Sequence, residues 1–174
     1  MAILALIQNN IDRFSDVTGR ILAWLCLLLM LLSCSVVFIR YGLGAGSIAL
    51  QESVTYLHGT IFMLGAAYTL RHDGHVRVDI FYRNMSARSK AWVNCGGGII
   101  FLLPLCVYFF ISSWGFVQQS WEFREISSEP GGIPAVFLLK TLIPLMAVNL
   151  GLQAFAETLR NLLILIARED SVQL

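Results

Sequence analysis

Long apolar runs separated by short polar segments dominate the chain. Ile21 to Ile39 is nineteen residues without a charge, about 28 Å of helix against a hydrocarbon core of about 30 Å. A second uncharged run extends from Ser53 to Leu70. A third, Ala91 to Trp121, is thirty-one residues long; its helix of about 46 Å calls for tilt, a projecting end or a kink at Pro104. A fourth starts near Phe137 and continues through Pro144 to about Leu159. The pattern predicts an all-α integral membrane protein. It is a single membrane domain over residues 1–174 with four transmembrane helices at about 21–39, 53–70, 92–118 and 137–159.

The segments between the runs carry their own signals. Ile3, Leu6, Ile7, Ile11, Phe14, Val17 and Ile21 recur at steps of one, three and four, with Asn9, Asp12, Arg13 and Asp16 elsewhere. This predicts an amphipathic helix, either lying in the headgroup layer before turning into the bilayer or forming a solvated lead-in. Gly42, Gly44 and Gly46 make residues 41–51 a loop. In the polar loop 71–90, Phe81, Tyr82 and Met85 predict a short interfacial element, and Ser86 an N-cap. Pro130, Gly131, Gly132 and Pro134 give segment 122–136 a stiff, turned backbone. The tail from Arg160 to Leu174 is a short amphipathic stretch.

Composition agrees with this outline: 57% of residues are apolar and 13% charged, about half the charge content of a soluble domain. The net charge of +1 conceals an asymmetry. Nine Lys or Arg fall in the N-terminal arm, loop 71–90 and the tail, against three (Arg40, Arg124, Lys140) in the other segments. The positive-inside rule places both termini and loop 71–90 in the cytoplasm, with 41–51 and 122–136 facing the periplasm. No basic patch suits a nucleic acid. The N-terminus lacks the basic leader of a cleavable signal peptide. Cys26, Cys34, Cys95 and Cys106 lie inside apolar runs with no C-x-x-C spacing, so they read as packing residues.

Candidate chemistry is sparse. Span hydroxyls have no facing His or Lys, and only His58 lies within a span, which speaks against a hydrolase or a haem protein. Glu52 opens the second span. Small four-helix exporters use one membrane carboxylate as a proton-coupled site, but the outer-boundary position of Glu52 near Arg40 fits an interfacial ion pair or cap better. Glu52, Tyr56, Gly59, Met63 and Leu70 share one helical face, with Ser53, Thr60 and Ala67 beside them, as a close helix contact requires. Asn149, Gln153 and Glu157 at i, i+4, i+8 form a stripe that should face protein. Arg71, His75, Arg77 and Asp79 serve either topology and anionic lipid or a fixed elbow. Glu125 and Glu129 are the outward-facing carboxylates.

Arg40, Glu52, the run Leu64-Gly65-Ala66-Ala67-Tyr68, Arg71 and His75-Val76-Arg77-Val78-Asp79 together resemble the small membrane (Q, DctQ-like) subunit of tripartite ATP-independent periplasmic (TRAP) transporters. The four-span layout fits along the whole chain. The resemblance implies a bacterial inner-membrane subunit that is not an enzyme and holds no catalytic, cofactor or metal residue. Its partners are a large membrane subunit, where sodium and substrate bind, a periplasmic substrate-binding protein, and membrane lipid. The small subunit braces the scaffold of the large one and helps dock the binding protein. The stretch from Ser127 to Lys140 resembles a branch associated with uptake of 2-oxo acids or other organic acids.

Overall fold

The structure, a computed structural model, describes residues 2–76 and 79–170. Among them every regular element is helical: α1 (Ala2–Gly42), α2 (Ile48–Arg71), α3 (Asp79–Tyr82), α4 (Ala87–Gly97), α5 (Leu103–Glu122) and α6 (Val136–Asp170). A π-helical turn over Gly98–Leu102 joins α4 to α5. Three stretches are long and apolar enough to cross a membrane: Ile3–Gly42, Ala87–Glu122 and Val136–Ile166. At 24 residues, α2 has the length, about 36 Å. Gln51, Glu52, His58 and its hydroxyl residues make it less apolar than those three.

The N-terminal segment makes no turn before the first span. α1 passes through Arg20 and Ile21 as one helix of 41 residues, about 62 Å long, since no proline interrupts its hydrogen-bond ladder. Its polar side is inward: Asp12 and Ser15 are buried, whereas Ile3, Leu6, Phe14, Val17 and Ile21 are exposed. The stripe is therefore the outer face of a bundle helix.

α6 is the central mast, in contact with α1, α2, α4, the π turn and α5. α1 runs antiparallel to α2, bringing Asp12 to Arg71 and Leu22 to Gly65. α2 runs parallel to α6, with Gly59 against Leu139 and the Leu64 carbonyl at Asn149. The α4–α5 rod runs antiparallel to α6, as Asn94 meets Asn161 and Trp121 meets Thr141.

The interior is built from small and polar residues. Ala67, Ala91, Ala147, Ala154 and Ala156 are buried, and the bulkiest fully buried side chain is Gln153. Large side chains such as Trp24, Phe38, Phe101, Tyr108 and Trp114 point outward. Where lipid tails are as apolar as leucine, helices associate through close backbone approach and polar contacts. Two glycines make that approach visible: a Cβ at Gly19 would overlap the Tyr68 ring, and one at Gly98 would overlap the Thr158 hydroxyl.

Pro104 was expected to kink the third long helix, and the chain answers with the π turn just ahead of it. An ordinary helix would leave the Ile100 carbonyl facing the proline ring, which has no N–H to donate. The wider turn moves the bonding partners, and the Leu103 N–H donates to the Gly98 carbonyl five residues back. α2 and α5 end alike, with Gly74 N–H donating to the Thr69 carbonyl and Glu125 N–H to the Ser120 carbonyl. These are Schellman closures, with Asp73 (φ 54°) and Arg124 (φ 47°) in the left-handed position that glycine usually takes. Ser86 caps α4, its hydroxyl accepting from the Ser89 N–H at 3.2 Å.

Gly19→Ala should lower the unfolding midpoint of the detergent-solubilised chain, because Tyr68 must move; overpacking of this kind is worth about 1–3 kcal/mol. Gly115→Ala, where nothing lies within 4 Å of the added carbon, should hold or raise it through helix propensity alone. Equal midpoints for the two variants would contradict the proposed α1–α2 contact.

Candidate functional site

Two polar clusters, one at each end of α6, hold the functional candidates. The first joins α1, α2 and α6 near the termini. Asp12 and Asp16, one helical turn apart, both face Arg71 at the end of α2. Asp12 Oδ1 lies 3.1 Å from Arg71 Nη1, and Arg71 Nε lies 2.9 Å from Asp16 Oδ1. From α6, Arg160 Nη2 donates to Asp12 Oδ2 at 2.7 Å and Gln153 Nε2 donates to Asp12 Oδ1 at 3.0 Å. Ser15 donates to Gln153 Oε1 at 2.6 Å, and Arg160 Nη1 also bonds Glu157. His72 Nε2 lies 3.2 Å from Asp16. One carboxylate, with a side chain 10% exposed, thus accepts hydrogen bonds from Arg160 and Gln153 of α6 and forms an ion pair with Arg71 of α2. Such a charge is tolerable at the membrane boundary because it is paired and hydrogen-bonded.

The second cluster closes the far end. Glu52 does not pair with Arg40, which is exposed and makes no ion pair among the described residues. Its carboxylate is instead capped by the segment between α5 and α6. Ser127 donates its hydroxyl to Glu52 Oε1, and the Ile133 N–H donates to Oε2 at 2.6 Å. The Ser127 N–H donates to the Ile133 carbonyl at 3.3 Å, and Gly131 takes φ 79° to turn the chain between them. The two hydrogen bonds hold the Glu52 carboxyl below its ordinary range. Glu125 is structural in the same way. It accepts from Lys140 at 2.5 Å and from Ser120 at 2.6 Å, and these bonds, Lys140 first, lower its carboxyl as well. Arg124 lies over the rings of Trp121 and Phe137.

The remaining sequence candidates divide between these ends. Arg71, Gln153 and Glu157 belong to the first cluster. Asn149, one turn before Gln153 and buried, donates to the Leu64 carbonyl at 3.0 Å. Gly59 admits Leu139 and Leu142 of α6. Tyr56 lies a turn below Glu52 with its hydroxyl buried. His75 Nε2 lies 3.2 Å from the Ala66 carbonyl, folding the post-α2 chain back onto the helix. Glu129 is exposed on the outer segment. Arg77 and the side chain of Asp79 lie outside the described residues. Sequence reasoning missed Asp12, Ser15, Asp16 and Arg160 as site residues, although the i, i+4 spacing of the two aspartates was a usable signal. Among the described residues no group of His, Cys, Asp or Glu could hold a metal ion.

A family model described as tripartite ATP-independent periplasmic transporters, DctQ component, matches residues 29–163. No curated protein and no solved structure matches the chain.

Asp12→Asn should destabilise the helix bundle strongly, since Arg71 and Arg160 would share a neutral amide. Breaking a buried pair costs roughly 3–5 kcal/mol, and the one-third exposure of Arg160 places the effect at or below the lower bound. A midpoint unchanged from wild type would show that the cluster does not hold the helices.

For Glu52 the folded carboxyl titrates below its ordinary value of 4.5. The stabilisation it confers is therefore complete above that value and is lost as pH falls through the folded pKa. The protection of residues 123–135 against hydrogen exchange, referred to the intrinsic exchange rate at each pH, should fall under acid in the wild type. Glu52→Gln should reduce that dependence to the part that Glu125 carries, while a Gln variant as acid-sensitive as the wild type would leave Glu52 without a share in it.

Proposed function

Because the chain belongs to the DctQ component family of tripartite ATP-independent periplasmic transporters, we propose that it braces the large membrane subunit and helps dock the periplasmic binding protein. The system it serves takes up an organic acid coupled to sodium. In this reading α2 completes four spans in a bacterial inner membrane, with both termini in the cytoplasm. Sodium and substrate bind on the large subunit, and this chain performs no catalysis.

The observation that carries the proposal beyond family membership is the use of ionisable groups as internal ties. Asp12, Asp16, Arg71, Arg160 and Glu157 lock three helices at one end. Glu52 and Glu125 fix the outer segment at the other. What remains outside is apolar helix surface on α1 and α5 and a held loop carrying Glu129. A rigid body with greasy flanks and a fixed outer loop suits a brace. The rival idea, an autonomous proton-coupled exporter built on Glu52, requires a carboxylate open to a path through the bundle, and this one is capped by Ser127 and Ile133.

The chain should purify with the large subunit, and its unfolding midpoint should fall when it is expressed alone. A free monomer or homodimer that transports by itself would refute the reading. Glu129→Lys should weaken uptake that depends on the binding protein without lowering the stability of the membrane complex. Glu125→Gln, which loosens Lys140 and Ser120, should lower both; identical behaviour of the two variants would remove the distinction between docking and structural carboxylates.

A further inference from the structure

The side chains of the four-residue helix α3 divide between two directions. Tyr82 is turned to the bundle: Asn94 Nδ2 of α4 donates to its hydroxyl at 2.9 Å and to Asn161 Oδ1 of α6 at 3.3 Å. Lys90 reaches back over the Tyr82 ring, 5.2 Å from its centroid, and donates to the Arg83 carbonyl at 3.4 Å. With Tyr82 fixed, Ile80 and Phe81 stand outward at 76% and 77% exposure, and Met85 and Trp92 are exposed beside them in sequence. The fold holds an apolar pair outside.

Depth, continuity and charge say what covers that pair. Tyr82 and Asn94 line the same open-sided cleft as Leu70 and Arg71, where the second apolar run meets charge, so α3 stands level with the membrane boundary. α4 runs on through the π turn into α5 as one stretch long and apolar enough to cross the membrane. Its exposed Trp92 is the type of side chain that settles in the headgroup layer. Arg83, Arg88 and Lys90 follow the apolar pair, and the next acidic residue is Glu122. Asp73 and Asp79 precede the pair, and segment 71–90 sets five Lys or Arg against those two. Arg83 is exposed and makes no ion pair among the described residues. Lys90 keeps donors beyond the one it gives to the Arg83 carbonyl. Exposed apolar side chains backed by a basic excess fit the surface of a leaflet that contains anionic lipid.

We infer that α3 is a membrane-surface anchor for anionic phospholipid. Ile80 and Phe81 enter the acyl boundary of the leaflet on the side of the termini, while Arg83, helped by Lys90, holds headgroup phosphates. Through Tyr82, Asn94 and Asn161 the hold passes to α4 and α6, so this leaflet sets the depth of the bundle end that carries Arg71 and Arg160. The anchor stands apart from the bracing role and needs no partner subunit.

The test uses the full chain with Cys26, Cys34, Cys95 and Cys106 replaced by alanine and a spin label at Phe81→Cys. It is reconstituted in nanodiscs of phosphatidylcholine, alone or mixed with phosphatidylglycerol. Oxygen, which partitions into lipid, and a water-soluble nickel chelate report the depth of the label. With phosphatidylglycerol the label should be open to oxygen and shielded from nickel, whereas a label at Glu129→Cys on the outer segment should stay open to nickel in both lipids. Arg83→Gln should lower the ratio of immersed to water-exposed label in phosphatidylglycerol about fivefold, the effect of one cation near an anionic surface, and Arg83→Lys should restore it. Because the label replaces Phe81, the unlabelled double variant Ile80→Ser, Phe81→Ser checks the native side chains. It should retain less phosphatidylglycerol on mild purification, by mass spectrometry, at an unchanged unfolding midpoint in detergent, since both positions are exposed. A label open to nickel in phosphatidylglycerol, immersion equal in the two lipids or undiminished in Arg83→Gln, or full retention in the serine variant would each overturn the inference. So would a label shielded from oxygen and nickel alike when the large subunit is present, which would assign the patch to that protein.

Discussion

The Asp12 carboxylate is the point on which the bundle depends. α1, α2 and α6 approach one another with few large apolar side chains between them, and lipid supplies no hydrophobic force to press them together. Their association rests on small-residue contacts and on a charge that none of the three helices could carry alone. With Arg71 and Arg160 both directed at it and Gln153 donating from a fully buried position, Asp12 fixes register and rotation together. The packed glycines and alanines follow from that register, as Gly19 reaches Tyr68 only when Asp12 reaches Arg71.

Hydropathy and glycine placement made much of this architecture legible. The four apolar runs, the Gly59 face, the Ser86 cap and the turned segment at Pro130 to Pro134 all have local causes, so the chain announces them locally. The inward face of α1 was a different matter. Periodicity states which residues share a face, but it does not name the medium that face meets. In water the apolar stripe is buried; beside lipid, Asp12, Ser15 and Asp16 go inside and Phe14 and Val17 go outside. The same seven apolar positions fit both arrangements, and only the presence of Arg71 and Arg160 on neighbouring helices decides.

Long-range partners of single polar groups were equally hidden. Glu52 accepts from residues 75 and 81 positions away, one a hydroxyl and one a backbone N–H. Neither leaves a charge pattern in the chain, whereas Arg40, close in sequence and opposite in sign, offered an obvious but absent partner. The π turn had a partial signal, as Pro104 required some local adjustment, but its form depends on how closely Gly98 meets Thr158. The family-matched span of residues 29–163 begins after Asp12 and Asp16, so family likeness does not reach the α1 half of the cluster.

The separation of 148 residues between Asp12 and Arg160 has a consequence for biogenesis. Asp12 and Asp16 leave the ribosome first, Arg71 follows, and Gln153 and Arg160 arrive last. At ordinary elongation rates the interval from Asp12 to Arg160 is roughly 7–30 s. Until then Arg71 is the one basic partner the finished cluster offers to Asp12 and Asp16 across α1 and α2. Synthesis of α6 then brings the Gln153 and Arg160 donors to Asp12, so a chain truncated before Gln153 leaves that carboxylate without either hydrogen bond.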